Sequence, residues 1–448
     1  MSAWDTSMVE RVRASGDSEQ GRAAVALLLF LAFAESHQEE LGIRLTGRDS
    51  LEAISQAYGS AFFMPDDFAA HVDRVAEEMG LDPAGFGELA QLVPESTMRS
   101  CLDGLSGDLL GICADRHHAL GALDELCARA AADVGFGSSV LLRRVMSLVA
   151  NAEMAGETGL RVLDPACGMA SLLGEVAPLA QGGGVVAGWE RIPEPVVVAK
   201  IRLVMVGVEP ASVRVEHANS IKPSNSPTGG FDLVVCDAPM RYLHTVFSEG
   251  LPQGSFLEGY ENVVFGGTTG ELFLVRCLGE LAPGGCAVVA LEGAFESSSK
   301  YVRLRRHLVE RGVVDAVIGI QDCDYHARRS VCVLRRDVRG EGPRSVLLAN
   351  YERRPQDRPE ELAARIAAEV SERRPSHEGD SGTMLVSAER LLGDETTPLR
   401  LSFWVDGQDV VSRVAGSQDL VDARVAYDRA SRAAREADEE FVSALKAL

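Results

Sequence analysis

Lysine is almost missing from this chain. It stands only at positions 200, 222, 300 and 446, so 40 of the 44 basic residues are arginine. The base composition of the coding DNA is the plain explanation for that bias. Positive charge is scarce overall, with 44 Lys and Arg against 66 Asp and Glu, a formal net charge of −22. Such a balance excludes a protein whose whole surface grips nucleic acid, because that grip rests on Lys and Arg neutralising phosphates. A local basic cleft or a basic partner stays open.

Long hydrophobic runs are missing as well. The longest, Ala23–Ala34, is bounded by Arg22 and Glu35 and falls short of the roughly 20 residues a bilayer-spanning helix needs. The start of the chain lacks the charged segment and small-residue cleavage site of a secretory signal. Both absences lead to the expectation of a cytoplasmic protein with no membrane role. The nine cysteines form no C-x-x-C pair, which leaves small buried hydrophobes in a reducing compartment as their reading. His117 and His118 are adjacent on one expected helix and so point to different faces, and Cys323 with His326 lacks further ligands. No metal is therefore expected. No Walker loop and no Ser/His/Asp grouping stands out.

What the chain does have is material for a large core: 46% hydrophobic residues over 448 positions. That length suggests two or three domains. Residues 1–130 read as a helical domain. Apolar positions recur at helical spacing through Arg22–Leu41, Leu51–Tyr58, Pro65–Met79 and Leu120–Ala131, with breaks expected at Gly80, Pro83 and Gly107. From residue 131 to 350 short β-rich runs alternate with amphipathic helices. The runs are Arg161–Leu163, Val185–Trp189, Val213–Glu216, Phe231–Cys236, Cys286–Leu291, Val313–Ile320 and Ser330–Leu334. Alternation of this kind predicts an α/β domain with a mostly parallel sheet and helices on both faces. Residues 351–448 read as a charged, proline-containing connector with one helix near Glu360–Val370, followed by an Ala-rich helix from Gln418 to Leu448. That last helix is either solvated and packed on one side or a dock for a partner subunit.

The chemistry concentrates at strand ends. Arg161-Val-Leu-Asp164-Pro-Ala166-Cys-Gly168 is a strand closed by a carboxylate and a Gly-containing turn before a helix, where backbone N–H groups can approach a ligand closely. The next strand ends in Glu190, a carboxylate able to accept both ribose hydroxyls of a nucleoside. The third leads to Asn219, placed to read an adenine edge. The fourth delivers Asp237-Ala238-Pro239-Met240. Polar tips on four successive strands fall where open α/β sheets bind their ligands. Two arginine groups, Arg303/Arg305/Arg306 and Arg328/Arg329, read either as a solvated helix face and loop or as phosphate contacts along a cleft.

Residues 161–173 are similar to the cofactor loop D-P-A-C-G-[ST]-G of adenine-N6 DNA methyltransferases, and Asp237–Met240 occupies the place of that family's [DNS]-P-P-[FYW] motif. Gly135-Phe-Gly137-Ser138-Ser139 resembles the segment that precedes the first helix there. Leu281–Gly285, Glu292–Phe295 and Leu308–Gly319 resemble the modification subunit of type I restriction systems. The resemblance spans about residues 130–345. It implies a Rossmann-like fold with a seven-stranded, mostly parallel sheet, and S-adenosylmethionine as methyl donor, lined by Gly137, Ser138, Asp164, Ala166, Gly168, Glu190, Asn219 and Asp237. It implies methyl transfer to adenine N6 in DNA, with Asp237 and the Ala238 carbonyl as acceptors and Pro239 and Met240 completing the motif. It further implies a separate specificity subunit and assembly into an oligomer. The chain departs from the pattern at Ala238 (for Pro), Met240 (for a stacking aromatic), Met169 and Ala170 (for a hydroxyl residue and Gly) and Ser139-Val140 (for Thr-Pro). These departures keep two alternatives in view: a homologue that binds cofactor or partner without methylating DNA, and a transferase acting on another amine.

Overall fold

The computed structural model describes residues 18–45, 50–58, 65–134, 139–222, 228–239, 256–260, 269–324, 327–336, 345–373, 375–378 and 381–405. The chain divides into two units, Met1–Leu399 and Arg400–Leu448. In the second, the described residues hold one short helix, Ser402–Val405. The expected helix Gln418–Leu448 lies outside the described residues.

Among the described residues seven helices come first: α1 (Glu19–Ser36), α2 (Gln38–Leu41), α3 (Leu51–Tyr58), α4 (Pro65–Glu78), α5 (Phe86–Gln91), α6 (Glu95–Cys113) and α7 (Arg116–Val134). The apolar run of the sequence is the middle of α1, buried on every side from Ala23 to Ala34. A helix that is apolar all round belongs in a core, and α1 packs against α6 and α7. Among the described residues no helix is long and apolar enough to cross a membrane. Gly107 does not break the chain as expected, because α6 runs through it. A mid-helix glycine costs only about 1 kcal/mol, and burial of Leu102, Leu105 and Leu109 on the same helix outweighs that.

The α/β part follows with α8 (Val140–Glu153), β1 (Arg161–Asp164), α9 (Ser171–Val176), β2 (Val185–Glu190), α10 (Pro193–Met205), β3 (Val213–His217), β4 (Phe231–Asp237), α11 (Thr269–Glu280), β5 (Leu281–Glu292), α12 (Val302–Glu310), β6 (Val314–Gln321) and β7 (Arg329–Arg335). All seven expected strands are present, six of them extended by one to several residues and that of Val313–Ile320 shifted by one. They run in the order β3-β2-β1-β4-β5-β7-β6, with β7 antiparallel to both neighbours. The sheet has ten strands rather than seven. β8 (Val346–Glu352) adds parallel to β6, and β10 (Ser381–Val386) and β9 (Ser376–Glu378) add antiparallel beyond it. Between β8 and β9 lies α13 (Pro359–Ser371), which packs along α8; α14 (Ala388–Gly393) follows β10.

The central strands read as unbroken apolar runs because both faces are covered. On β4, Leu233 and Val235 join the core that includes Leu141 and Val145 of α8 and Ile366 of α13. Val234 and Cys236 point the other way and are equally buried. The cysteines follow the reading given them: all but Cys323 are buried. The same core continues without a break into the helices of residues 19–134, through contacts of α10 with α1 and α7.

Candidate functional site

β1, β2 and β4 are adjacent and parallel, with Asp164 level with Gly188 of β2. Their carboxyl ends therefore open on one side, and the side chains of residues 164, 190 and 237 arrive there together. Asp164 is only 2% exposed, and its Oδ1 accepts the Ala166 N–H at 2.9 Å, which shapes the turn. Burial pushes the Asp164 carboxyl up to about 8, against the help of that N–H; the nearby charges of Asp237 and Glu190 push it the same way. The charges of Asp237 and Glu190 both bear on Asp164, which places the three carboxyl groups near one another at the strand ends.

The turn itself is tied to β2. Glu190 Oε2 accepts the Gly168 N–H at 3.1 Å and Oε1 accepts the Ile192 N–H at 2.8 Å. The Cys167 N–H donates to the Trp189 carbonyl at 3.1 Å. Gly168 has φ +51° and faces open space. Gly188 lies beneath the turn, where a Cβ would stand 2.8 Å from Cys167 Sγ; only glycine lets the loop seat this closely. Ala170, where the resembled motif has glycine, takes φ +58° and is fully buried. Trp189 is held from the other side by the Arg276 guanidinium, 4.9 Å from its ring centre.

Asn219 sits on the rim, exposed, between two anchors. The Ala218 N–H donates to the Glu190 carbonyl at 2.8 Å, and Ser220 Oγ donates to the Pro165 carbonyl at 2.5 Å. Asp237-Ala238-Pro239 is tethered at both ends: the Ala238 N–H donates to the Ala290 carbonyl at 3.2 Å, and the Pro239 carbonyl accepts from the Thr269 hydroxyl. Gly137, Ser138 and Met240 lie outside the described residues. Ser139 caps α8 by accepting the Leu142 N–H at 3.0 Å.

Of the first arginine group, Arg303 is exposed and Arg306 half-exposed on the helix face expected of them; Arg305 and the Arg328/Arg329 pair need correction. Arg305 is fully buried and donates to the carbonyls of Phe295, Ser298, Thr396 and Thr397 at 2.7–2.9 Å. It is a strut for two loops and out of reach of phosphate. Arg306 pairs with Glu310. Arg328 is held by Glu296 and Asn350, and Arg329 forms an ion pair with Asp237.

Two contacts of the site could not be read in the sequence. One is that of Arg329, marked there only as a loop residue or phosphate contact, with Asp237: it stands at the start of a strand whose partner nothing local reveals. The other is that of Arg202 of α10, 5% exposed, which donates to the Met169 carbonyl of the turn at 2.8 Å and to Asp124 and Cys127 of α7. Its Val-Ala-Lys-Ile-Arg context reads as a plain amphipathic helix. Asp322, Cys323 and Asp324 lie close enough to suggest a cation site, yet Arg353 takes both carboxylates in ion pairs.

Residues 141–352 match the N-6 DNA Methylase family. No curated protein sequence matches the chain. Among solved structures, the methyltransferase subunit of the type I restriction-modification system from Streptococcus thermophilus superposes with a TM-score of 0.66. It is 14% identical and covers 90% of this chain and 99% of that one. A chain from a type I R-M system studied for complex assembly and conformational transition gives 0.60 at 15% identity, covering 98% of both. The type IIG restriction endonuclease BpuSI gives 0.58 at 13% identity, over 92% of this chain and 48% of that one. At such identities the likeness is one of fold alone.

Proposed function

From a chain whose residues 141–352 match the N-6 DNA Methylase family, we infer a DNA methyltransferase that uses S-adenosylmethionine to methylate adenine N6, working as a modification-type subunit beside a separate specificity subunit. The observation that carries this reading is the meeting of Asp164, Glu190 and Asp237 around one glycine turn at the ends of adjacent strands. S-adenosylmethionine, when bound, supplies an electrophilic methyl group on a sulfonium. The residues present fit it: Asp164, which gains its charge as pH rises toward 8, suits a ligand carrying sulfonium and ammonium charge, and the open space before Gly168 admits it to the backbone. Glu190 accepts the ribose hydroxyls, since each carboxylate oxygen has acceptor capacity beyond its single N–H bond. Asn219 faces the adenine edge from the rim.

The target amine needs help because its lone pair is delocalised into the ring. Asp237 and the Ala238 carbonyl accept its two N–H bonds, which favours a pyramidal nitrogen aimed at the methyl group. The gain is one of positioning and electrostatics. The tethers on Ala238 and Pro239 hold those acceptors still. The base reaches them only after leaving the duplex, and Met240 takes the place of the stacking aromatic, forgoing about 1–3 kcal/mol of base stacking. A net charge of −22 leaves most of the DNA grip to basic partner subunits.

The test is transfer of a tritiated methyl group to DNA, with and without the proteins encoded beside this one, followed by nucleoside analysis. N6-methyladenine carrying the label is the expected product. Cofactor binding without transfer in every combination supports the non-methylating alternative, and label on a different amine supports the other.

A further inference from the structure

Asp237 does not stand alone at the end of β4. On the ladder, Asp237 is level with Ala290 of β5, and Glu292 of β5 is level with Arg329 of β7. Residues level on neighbouring strands share a face, as do residues two apart on one strand. Asp237, Ala290, Glu292 and Arg329 therefore line the same face at the same end of the sheet. Arg329 reaches across β5 and forms an ion pair with Asp237 Oδ1. The guanidinium is itself fixed by the main chain it crosses: Nε donates to the Leu291 carbonyl at 3.1 Å and a terminal nitrogen to the Ala290 carbonyl at 3.5 Å. The two side chains are 16% and 19% exposed.

We propose that Arg329 is a positioning residue for methyl transfer, aiming and charge-compensating the Asp237 carboxylate so that one oxygen is committed to the guanidinium and the other faces the target amine. The inference rests on the methyl-transfer reading above. Its physical basis is twofold. The terminal torsion of an aspartate is broad, so an untethered carboxylate would spread over orientations of which few meet the amine. An arginine pinned by two carbonyls of β5 removes that freedom. The second point concerns the choice of residue. A carboxylate has two acceptor oxygens and an amide only one. With Arg329 occupying one oxygen, aspartate still offers an acceptor to the substrate. Asparagine would have to share its one carbonyl oxygen between Arg329 and the amine, and its NH2 group donates only. The family motif allows Asp, Asn or Ser at this place; beside Arg329, aspartate alone of the three keeps a second acceptor oxygen on the group that Arg329 holds.

The experiment compares R329M, R329K, D237N and the double variant D237N/R329M. It measures kcat and KM for methyl transfer to DNA, the cofactor Kd by calorimetry and the melting temperature. R329M is expected to lower kcat about 10- to 100-fold, the size of a misaimed reacting group, with cofactor Kd within about twofold and KM for DNA little changed. R329K should recover part of the rate, since lysine supplies the charge without the planar fork. D237N/R329M should be faster than D237N alone, because removing the guanidinium frees the amide oxygen for the amine. The proposal is overturned if R329M turns over at the wild-type rate. It is equally overturned if rate, cofactor affinity and melting temperature fall together, or if the two substitutions combine additively. A wild-type protein that binds the cofactor yet methylates no DNA overturns the function itself and this proposal with it, a result distinct from an indifferent R329M.

Discussion

Asp164→Asn should make the cofactor-free protein more stable at neutral and alkaline pH while weakening the site it serves. Burial raises the Asp164 carboxyl from an ordinary 3.8 to about 8 in the folded state. Below pH 4 the carboxyl is protonated in folded and unfolded chains alike and costs nothing. Between pH 4 and 8 the unfolded chain releases this proton and the folded one keeps it. The folded state then binds more protons, so stability falls as pH rises, by about 1.4 kcal/mol per pH unit, and levels off above 8. Asparagine keeps the acceptor for the Ala166 N–H and does not titrate. From pH 6 to 7.5 the wild type should therefore lose about 2 kcal/mol relative to D164N. In a unit of this size that amounts to a divergence of about 2–5 °C between the two melting curves. The assay is thermal melting of both proteins across pH 5–9 without cofactor. Parallel melting temperatures across that range would refute the reasoning, since Asp164 would then titrate alike in folded and unfolded chains. Cofactor affinity should follow the opposite course. It should rise toward pH 8 in the wild type as Asp164 ionises beside a cationic ligand, and stay flat and weaker in D164N.

Three further outcomes follow from the contacts around the turn. Gly188→Ala drives a Cβ to 2.8 Å from Cys167 Sγ; overpacking of this kind costs about 1–3 kcal/mol, and cofactor affinity should drop with it, with partial recovery in G188A/C167A measured by the same titration. Arg202→Met strips the Met169 carbonyl and Asp124 of their donor, so chemical denaturation should show a loss of about 1–3 kcal/mol and calorimetry a weaker cofactor complex; unchanged cofactor binding would show that the helices of residues 19–134 do not steady the turn. Asp237→Ala should abolish methyl transfer to DNA and leave cofactor affinity within a few-fold of wild type.

What could be read from the sequence was what is local. The turn after β1, the carboxylates that end β1, β2 and β4, and the buried parallel strands all announce themselves in consecutive residues, because a strand covered on both faces is simply a short apolar run. What stayed hidden depends on pairing across the sheet. Nothing near Arg329 says that it will lie opposite Glu292 and reach Asp237, because that register is set by an antiparallel strand folded back from α12 and β6. β10 begins Ser381-Gly-Thr, a polar start that reads as connector, and becomes a strand because β8 offers it an edge. Arg305 looked solvent-facing among other arginines; its burial follows from the loop Thr396–Thr397 closing over it, some 90 residues away. Ala170 is the converse case. The sequence marked it as a residue with a Cβ at a place that favours glycine, and the backbone there does adopt a positive φ.

The account turns on a single pocket for a methyl-donating nucleoside at the ends of β1, β2 and β4. Calorimetric titration of S-adenosylmethionine into the wild type and Glu190→Ala measures it most directly. The account predicts saturable binding at one site per chain, weakened at least about tenfold when the Glu190 carboxylate and its hydrogen bonds are lost. Undetectable binding to the wild type, or equal affinity in the two proteins, would contradict it.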